Sequence, residues 1–116
     1  LRREDIAAER VSLSSRHTLT FPELTIDGRS QQAFQNGTAL ALTRIEFNML
    51  LFLASNPGVT LSKEDLFSAV WGRDSADTLK VVANTVSNLR RKLGGSQTYI
   101  RTVRGGYVFS AVSATA

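Results

Sequence analysis

Short alternating runs separated by turn dipeptides fill the chain from Thr18 to Leu42 and predict an antiparallel sheet. The runs are LTFPELTI, RSQQAF and TALAL, and between them lie Asp27-Gly28 and Asn36-Gly37. Both dipeptides accept the positive φ angles of tight hairpin turns. Pro22 belongs at an edge or a break, because it has no N–H to donate to a neighbouring strand. We therefore predict three or four short strands in this region.

The apolar period changes to that of a helix after Leu42. Thr43 is followed three residues later by Glu46, which predicts a capping box, and Leu42 and Phe47 have the spacing of a hydrophobic staple. The run IEFNMLLFLAS has a wide apolar face and is predicted to form the central core helix. Asn56-Pro57-Gly58 ends it, since proline lacks the donor and glycine accepts positive φ.

A second helix is predicted by the same start signal. Ser62 and Asp65 have the spacing of a cap, and Leu61 and Leu66 that of a staple. The helix runs through FSAVW and stops at Gly72.

The segment TLKVVANTVSNLRRKL, residues 78–93, is predicted to form a third helix that begins after a cap at Asp77 or Ser75 and is closed by Gly94-Gly95. At about 100° per residue, five apolar positions fall within one arc of roughly 80°. These positions are Leu79, Val82, Val86, Leu89 and Leu93. The opposite side carries polar and basic residues and no acid: Lys80, Asn84, Ser87, Asn88 and Arg91.

The segment YIRTVRGGYVFSAV is predicted to be a hairpin with its turn at Arg104-Gly105-Gly106. Alternation places Arg101 and Val103 on one face and Thr102 and Arg104 on the other. An arginine at such a tip can enter a minor groove, where the potential is most negative. A purely solubilising role for this arginine is also compatible with the pattern. The predicted order is α+β: a sheet, three helices and a hairpin.

The net charge of +4 is divided unevenly along the 116 residues. From Thr78 onward there are 6 basic residues and no acid, whereas residues 1–77 hold the other 8 basic residues and all 10 acids. A polyanion would therefore be attracted to one part of the chain. The chain has no cysteine, which excludes disulfides and thiolate metal sites and fits a reducing, cytoplasmic setting. It also has no apolar run long enough to cross a bilayer.

Three classes of function can be weighed from these features. Asn, Ser and Arg on the third helix are the side-chain types that bond base edges in a major groove, which favours binding of double-stranded DNA. The alternatives are a solvated basic surface, a protein-interaction domain whose basic face meets an acidic partner, and an architectural role without sequence-specific readout. An enzyme is not supported, because the single histidine, His17, has no catalytic partner motif around it. We predict no cofactor and no metal, since no glycine-rich phosphate loop or metal-ligand spacing is present.

Three segments resemble the winged-helix effector domain of OmpR/PhoB-type response regulators over about residues 18–112: LALTRIEFNMLLFLASNPGVTLSKEDLFSAVWG, VVANTVSNLRRKLGG and YIRTVRGGYVF. The resemblance implies a bacterial, two-component transcription regulator with a winged helix-turn-helix fold: a four-stranded N-terminal sheet, three helices and a C-terminal wing. In that fold the recognition helix, residues 78–93, would lie in the major groove, and the wing, residues 99–110, at the minor groove. The residues implied at DNA are Trp71, Lys80, Asn84, Thr85, Ser87, Asn88, Arg90, Arg91, Thr102 and Arg104. Among them, Lys80 and Arg90 would contact phosphates.

The resemblance also implies a domain organisation and partners. Residues 1–16 would be a linker from a preceding receiver domain, 17–112 the winged-helix domain and 113–116 a tail. Two copies would bind head-to-tail on direct repeats, the loop 72–76 would meet RNA polymerase, and a sensor kinase would act on the receiver domain. The chain departs from the family pattern at Ala83, near Thr85, at Asn88 and in its RGGY wing, which is one residue shorter than usual.

Overall fold

The computed structural model describes residues 18–72, 78–93 and 99–110. Four strands form an antiparallel sheet in chain order: β1 (Thr18–Phe21), β2 (Leu24–Asp27), β3 (Gln32–Gln35) and β4 (Thr38–Ala39). Three helices follow within these ranges: α1 (Arg44–Ala54), α2 (Lys63–Val70) and α3 (Lys80–Leu93). The antiparallel strands β5 (Ile100–Val103) and β6 (Gly106–Phe109) form the wing, with its turn at residues 104–105. The predicted α+β winged-helix order is confirmed.

Two of the sheet's turns differ from the sequence prediction. The run LTFPELTI is not one strand, because the chain reverses at Pro22-Glu23, where Glu23 has a φ of 63°. The turn between β3 and β4 is as predicted, with positive φ at Asn36 and Gly37. The connection between β2 and β3 is longer than a two-residue turn, and its positive φ lies at Gln31 rather than Gly28.

Both predicted capping boxes are present. Thr43 Oγ1 accepts a hydrogen bond from the Glu46 N–H at 3.1 Å, and Glu46 Oε1 accepts one from the Thr43 N–H at 2.9 Å. Ser62 and Asp65 make the corresponding pair of bonds at the start of α2, both at 2.9 Å. These bonds satisfy N–H groups that have no partner inside the helix. The stop at Gly72, with a φ of 90°, is also as predicted.

The core lies between the inner face of the sheet, the three helices and the base of the wing. Its fully buried side chains come from every layer: Leu24, Ile26, Met49, Leu50, Leu53, Leu66, Val82, Val86, Leu89, Ile100 and Phe109. Phe109 packs against Phe21 of β1 with ring centroids 5.1 Å apart, and the Tyr99 hydroxyl donates to the Pro22 carbonyl at 3.0 Å. The wing is therefore anchored at its base to the N-terminal sheet.

A segment before α2 joins the wing as a third, very short strand. The Leu61 N–H donates to the Tyr107 carbonyl at 2.8 Å, and the Tyr107 N–H donates to the Leu61 carbonyl at 2.9 Å. The Gly58 N–H donates to the Phe109 carbonyl at 2.9 Å. These bonds fix the wing relative to the start of α2.

Several sequence predictions concern residues outside the described ranges. They are the linker 1–16, His17, the cap at Ser75 or Asp77, the loop residues 73–76, the closing Gly94-Gly95 and the tail 113–116. Within the ranges that are described, no helix has the length and apolar character needed to span a membrane.

Candidate nucleic-acid interface

Helix α3 has one buried side and one exposed side, as its sequence period predicts. Val82, Val86, Leu89 and Leu93 are buried in the core. The exposed side carries Lys80, Asn84, Ser87 and Arg91, with Asn88 half-buried beside them. No acid lies on this helix. A row of short or forked hydrogen-bonding groups is thus presented to solvent on a helix that packing holds in place.

Leu79, the first of the five apolar positions predicted on one side of the third helix, lies outside the helix. Helix α3 begins at Lys80, so Leu79 belongs to the preceding turn and is 36% exposed. The Val82 N–H donates to the Leu79 carbonyl at 3.0 Å, which is a tight turn that enters the helix. Leu79 therefore does not share the buried side of the four other apolar positions predicted with it, because the helix does not extend back to it.

Thr85 occupies an inward position on α3. It is only 8% exposed, beside buried Val82 and Val86. Its β-branched side chain therefore fills the helix's inner side instead of projecting with Asn84 and Ser87. The structure places Thr85 apart from the other residues that the sequence assigned to DNA.

Arg90 is attached to the wing. Its Nε donates to the Ile100 carbonyl at 2.9 Å, and its Nη2 donates to Thr102 Oγ1 at 2.7 Å. The guanidinium also lies 5.7 Å from the centre of the Tyr107 ring, within the range of a cation–π interaction. Two predicted site residues, Arg90 and Thr102, are thus brought together, and they bond to each other.

Asn88 and Arg91 form a pair on the exposed side, in which Arg91 Nη2 donates to Asn88 Oδ1. An asparagine that reads adenine in the major groove uses both its oxygen and its NH₂ group. In the free protein this oxygen accepts the bond from Arg91, so the two side chains form one hydrogen-bonded unit on the exposed side of α3.

The wing turn places Arg104 at an exposed position, and Arg101 is exposed on β5. Gly105 has a φ of 94°, which lets the hairpin reverse over two residues. The short RGGY turn is thus a tight one. Arg104 lies two residues beyond Thr102, which Arg90 holds.

Trp71 lies at the C-cap of α2 and is half-buried. Its ring stacks on Phe67 with centroids 5.6 Å apart and planes 10° from parallel. It packs against the core, which is a structural role. Any contact with a phosphate would come from its exposed part.

Lys92 lies on the third helix but faces the protein. Its Nζ donates to Glu46 Oε1 at 2.7 Å and to the Ala41 carbonyl at 2.9 Å. Burial alone would raise the pKa of the Glu46 carboxyl, but the hydrogen bonds from Lys92 and from the Thr43 N–H outweigh burial and hold that pKa below its ordinary value of 4.5. The last turn of α3 is thereby attached to the first turn of α1.

The lowered pKa predicts a pH dependence of stability. The stabilisation from the Glu46 carboxylate is fully present above pH 4.5 and disappears as the pH falls through the lower pKa of the folded protein. Glu46→Gln should lower the free energy of unfolding at pH 7 by about 1–3 kcal/mol. Urea unfolding curves of the two proteins should converge as the pH falls below 4.5. Glu64→Gln, at an exposed acid, is the matched control, and an equal loss there would contradict the assignment.

Three structural residues escaped the sequence analysis: Lys92, Leu61 and Gly106. Lys92 was grouped with the basic residues by its charge, and its partner lies 46 residues away. Leu61 was assigned only a staple role. Gly106 was taken as part of a turn, yet a Cβ built there would lie 2.1 Å from the Leu61 carbonyl oxygen. The pair Gly105-Gly106 was the one signal for Gly106 in the sequence, since a two-residue turn at 104–105 requires only one glycine.

Comparisons with known proteins agree with this geometry. A family described as "Transcriptional regulatory protein, C terminal" matches residues 37–109. The chain belongs to this family. The predicted resemblance to OmpR/PhoB-type effector domains is thereby confirmed.

Individual members of the family are similar over most of this chain. The transcriptional regulatory protein VxrB of Vibrio cholerae is 44% identical over 89 residues, which are 76% of this chain and 36% of VxrB. The RstA DNA-binding domain of Klebsiella pneumoniae, solved in complex with the RstA box, is 32% identical with a TM-score of 0.73, covering 83% of this chain and 99% of that one. The DNA-binding domain of CpxR from E. coli is 34% identical with a TM-score of 0.71, covering 82% and 98%. This chain spans less than half the length of the curated relatives it matches.

Proposed function

We propose that this effector domain binds double-stranded DNA sequence-specifically and so directs a transcription regulator to its sites. The observation that carries the proposal is the exposed, acid-free side of α3 next to an arginine-tipped wing. Similarity to the RstA domain, whose complex with the RstA box is solved, supports it. The family is one of transcription regulators and not of enzymes.

Base readout would come from the middle of the exposed side of α3. A B-DNA major groove admits an α-helix, and asparagine and arginine bond adenine and guanine edges there. Asn84, Asn88 and Arg91 carry those groups, and small Ser87 and Ala83 let the backbone approach closely. On binding, the Asn88–Arg91 hydrogen bond would either break, so that each side chain bonds its own base, or persist, so that the pair contacts two neighbouring bases together.

Phosphate and minor-groove contacts would orient the domain. Lys80 is exposed at the first residue of α3, where its ammonium can reach a phosphate. Arg104 at the wing turn would enter the adjacent minor groove. Phosphate contacts such as that of Lys80 fix the position of the protein along the duplex without reading its sequence.

For the whole regulator we propose the organisation that the family suggests. A receiver domain controlled by a sensor kinase would precede residues 1–16, and paired copies would bind direct repeats in the cytoplasm. The loop 72–76 would contact RNA polymerase. Deletion of the receiver domain from the full-length protein, followed by footprinting on one repeat and on two, would test the pairing.

Two alanine variants separate base reading from phosphate binding. Asn88→Ala should change the base preferred at one position and lose about tenfold in affinity for the best site. Lys80→Ala should weaken all sequences by a similar factor of about three to ten. The measurement is selection of sites from random duplex DNA, followed by titration of the selected duplex and a scrambled one.

The control for lost charge is Arg29→Ala, at an exposed arginine of the β2–β3 connection. It should leave binding unchanged. If the wild-type chain binds every duplex equally at physiological salt, sequence readout is absent and an architectural role replaces it. If neither Asn88→Ala nor Lys80→Ala alters binding, α3 is not the contact surface.

A further inference from the structure

Arg90 differs from the other basic residues of α3 in how its side chain is used. Lys80 and Arg91 are exposed on the outer side, whereas Arg90 is half-buried. Its guanidinium has one N–H on the Ile100 carbonyl and another on Thr102 Oγ1. The ring of Tyr107 from β6 lies beneath it. One side chain of the helix thus contacts both strands of the wing.

These contacts need the shape of arginine as well as its charge. The two acceptors lie on alternate residues of β5, and the planar fork of a guanidinium reaches both at once. A lysine ammonium is a point charge on a flexible stem and does not reproduce that arrangement. The Arg90 contacts would have to break before its Nε and Nη2 could turn to a phosphate.

The wing requires such support along its length. A two-stranded hairpin is at best marginally stable by itself. Strand β6 is attached through Phe109 and the Leu61–Tyr107 bonds. Arg90 attaches the other strand at Thr102, which pairs with Tyr107 across the hairpin and lies two residues before Arg104. The Arg90–Thr102 bond therefore connects α3 to the wing close to Arg104, and it fixes how far Arg104 lies from the helix.

We propose that Arg90 is a positioning residue that fixes the wing against α3, so that Arg104 contributes to DNA binding only when the Arg90–Thr102 bond is made. This inference rests on the proposed function and deepens it. It assigns Arg90 to the geometry of the site instead of to a phosphate. It also makes the contributions of helix and wing to affinity interdependent.

A mutant cycle on the 116-residue chain tests the interdependence. Arg104→Ala should weaken binding to the selected duplex about tenfold in the wild-type background, but less than about twofold in the Arg90→Lys background. Arg90→Lys alone should lose about tenfold although its charge is kept. Thr102→Val, which removes the acceptor and keeps the shape, should lose a similar factor. Arg44→Lys, at an exposed arginine of α1, is the matched control and should bind like wild type.

Salt titration separates positioning from direct phosphate contact. If Arg90 sits on a phosphate, Arg90→Lys retains both the affinity and the slope of log K against log salt, and Arg104→Ala keeps its full effect in that background. That result overturns the proposal. If Arg90 positions the wing, the slope of log K against log salt should become shallower in Arg90→Lys by about 0.9, the value for one phosphate contact, because Arg104 no longer contacts the DNA.

Hydrogen exchange in the free protein decides the same point without DNA. Amides of residues 100–109 should exchange faster in Arg90→Lys and in Thr102→Val, whereas those of α1 should not change. Unchanged wing exchange in both variants overturns the proposal. If the wild-type chain protects no duplex, the proposed function fails, and faster wing exchange would still show the attachment.

Discussion

Alanine in place of Gly106 should lower the free energy of unfolding by about 3–5 kcal/mol and release the wing from the rest of the domain. The added Cβ would lie 2.1 Å from the Leu61 carbonyl oxygen, 2.7 Å from its carbonyl carbon and 2.9 Å from Ser62 Cα. All three are backbone atoms, so no side-chain rotation relieves the collision. The φ of 154° at Gly106 adds strain for any residue with a Cβ.

The collision should break the two hydrogen bonds between Leu61 and Tyr107, since those atoms must separate. Thermal unfolding should occur more than about 12 °C lower. The affinity for the selected duplex should fall at least as far as in Arg104→Ala, because the wing is no longer held in position beside α3. Both are measured on the purified chain, by calorimetry and by titration at a temperature where the variant is folded.

Gly37→Ala is the matched control for backbone strain alone. Gly37 also has a positive φ, of 82°, but no atom lies within 4 Å of the position of its added Cβ. It should lose about 1–2 kcal/mol through the left-handed conformation and keep full DNA affinity. Equal losses in the two variants would show that the close approach to Leu61 does not matter.

The affinity for DNA should fall about 100-fold when the salt concentration rises from 50 to 200 mM. Of the 6 basic residues after Thr78, the structure ties Lys92 to Glu46 and Arg90 to the wing. Lys80, Arg91, Arg101 and Arg104 remain exposed, and none of them pairs with a carboxylate in the described ranges. About four neutralised phosphates correspond to a slope of roughly −3.6 in log K against log salt.

Two charge-removing variants on the same helix test which cations contribute. Lys80→Gln should reduce the slope by about 0.9, the value expected for one phosphate contact. Lys92→Gln should leave the slope unchanged, because this ammonium is already neutralised by Glu46. A slope near −5 or steeper in wild type, or a reduced slope in Lys92→Gln, would show that the internal ion pair opens on DNA.

Local signals in the sequence were sufficient for the helix starts and for the two-sided character of α3. The Thr43–Glu46 and Ser62–Asp65 boxes depend on residues three apart, so no distant contact was needed to predict them. The exposed side of α3 followed from the helical period. The acid-free composition of that side was visible directly and carried the functional prediction.

Features that depend on distant contacts were not predictable. Pro22 marked a possible break, but glutamate does not favour the positive φ that Glu23 adopts after it, so the first hairpin was not placed there. The charges of Arg90 and Lys92 were plain, but their partners come from β5 and α1. Thr85 is a different case: it was assigned to DNA because it is polar, although the helical period itself places it beside Val82 and Val86 on the buried side.

The pairing of Leu61 with Tyr107 has a consequence for how this chain tolerates changes in length. Leu61 pairs with the wing, and the next residue, Ser62, is the N-cap of α2, so the positions of both depend on the number of residues that follow Gly58. One inserted amino acid there would disrupt either the hydrogen bonds between Leu61 and Tyr107 or the cap at the start of α2, because it cannot preserve both positions. Grafts and fusions should therefore leave this four-residue span intact.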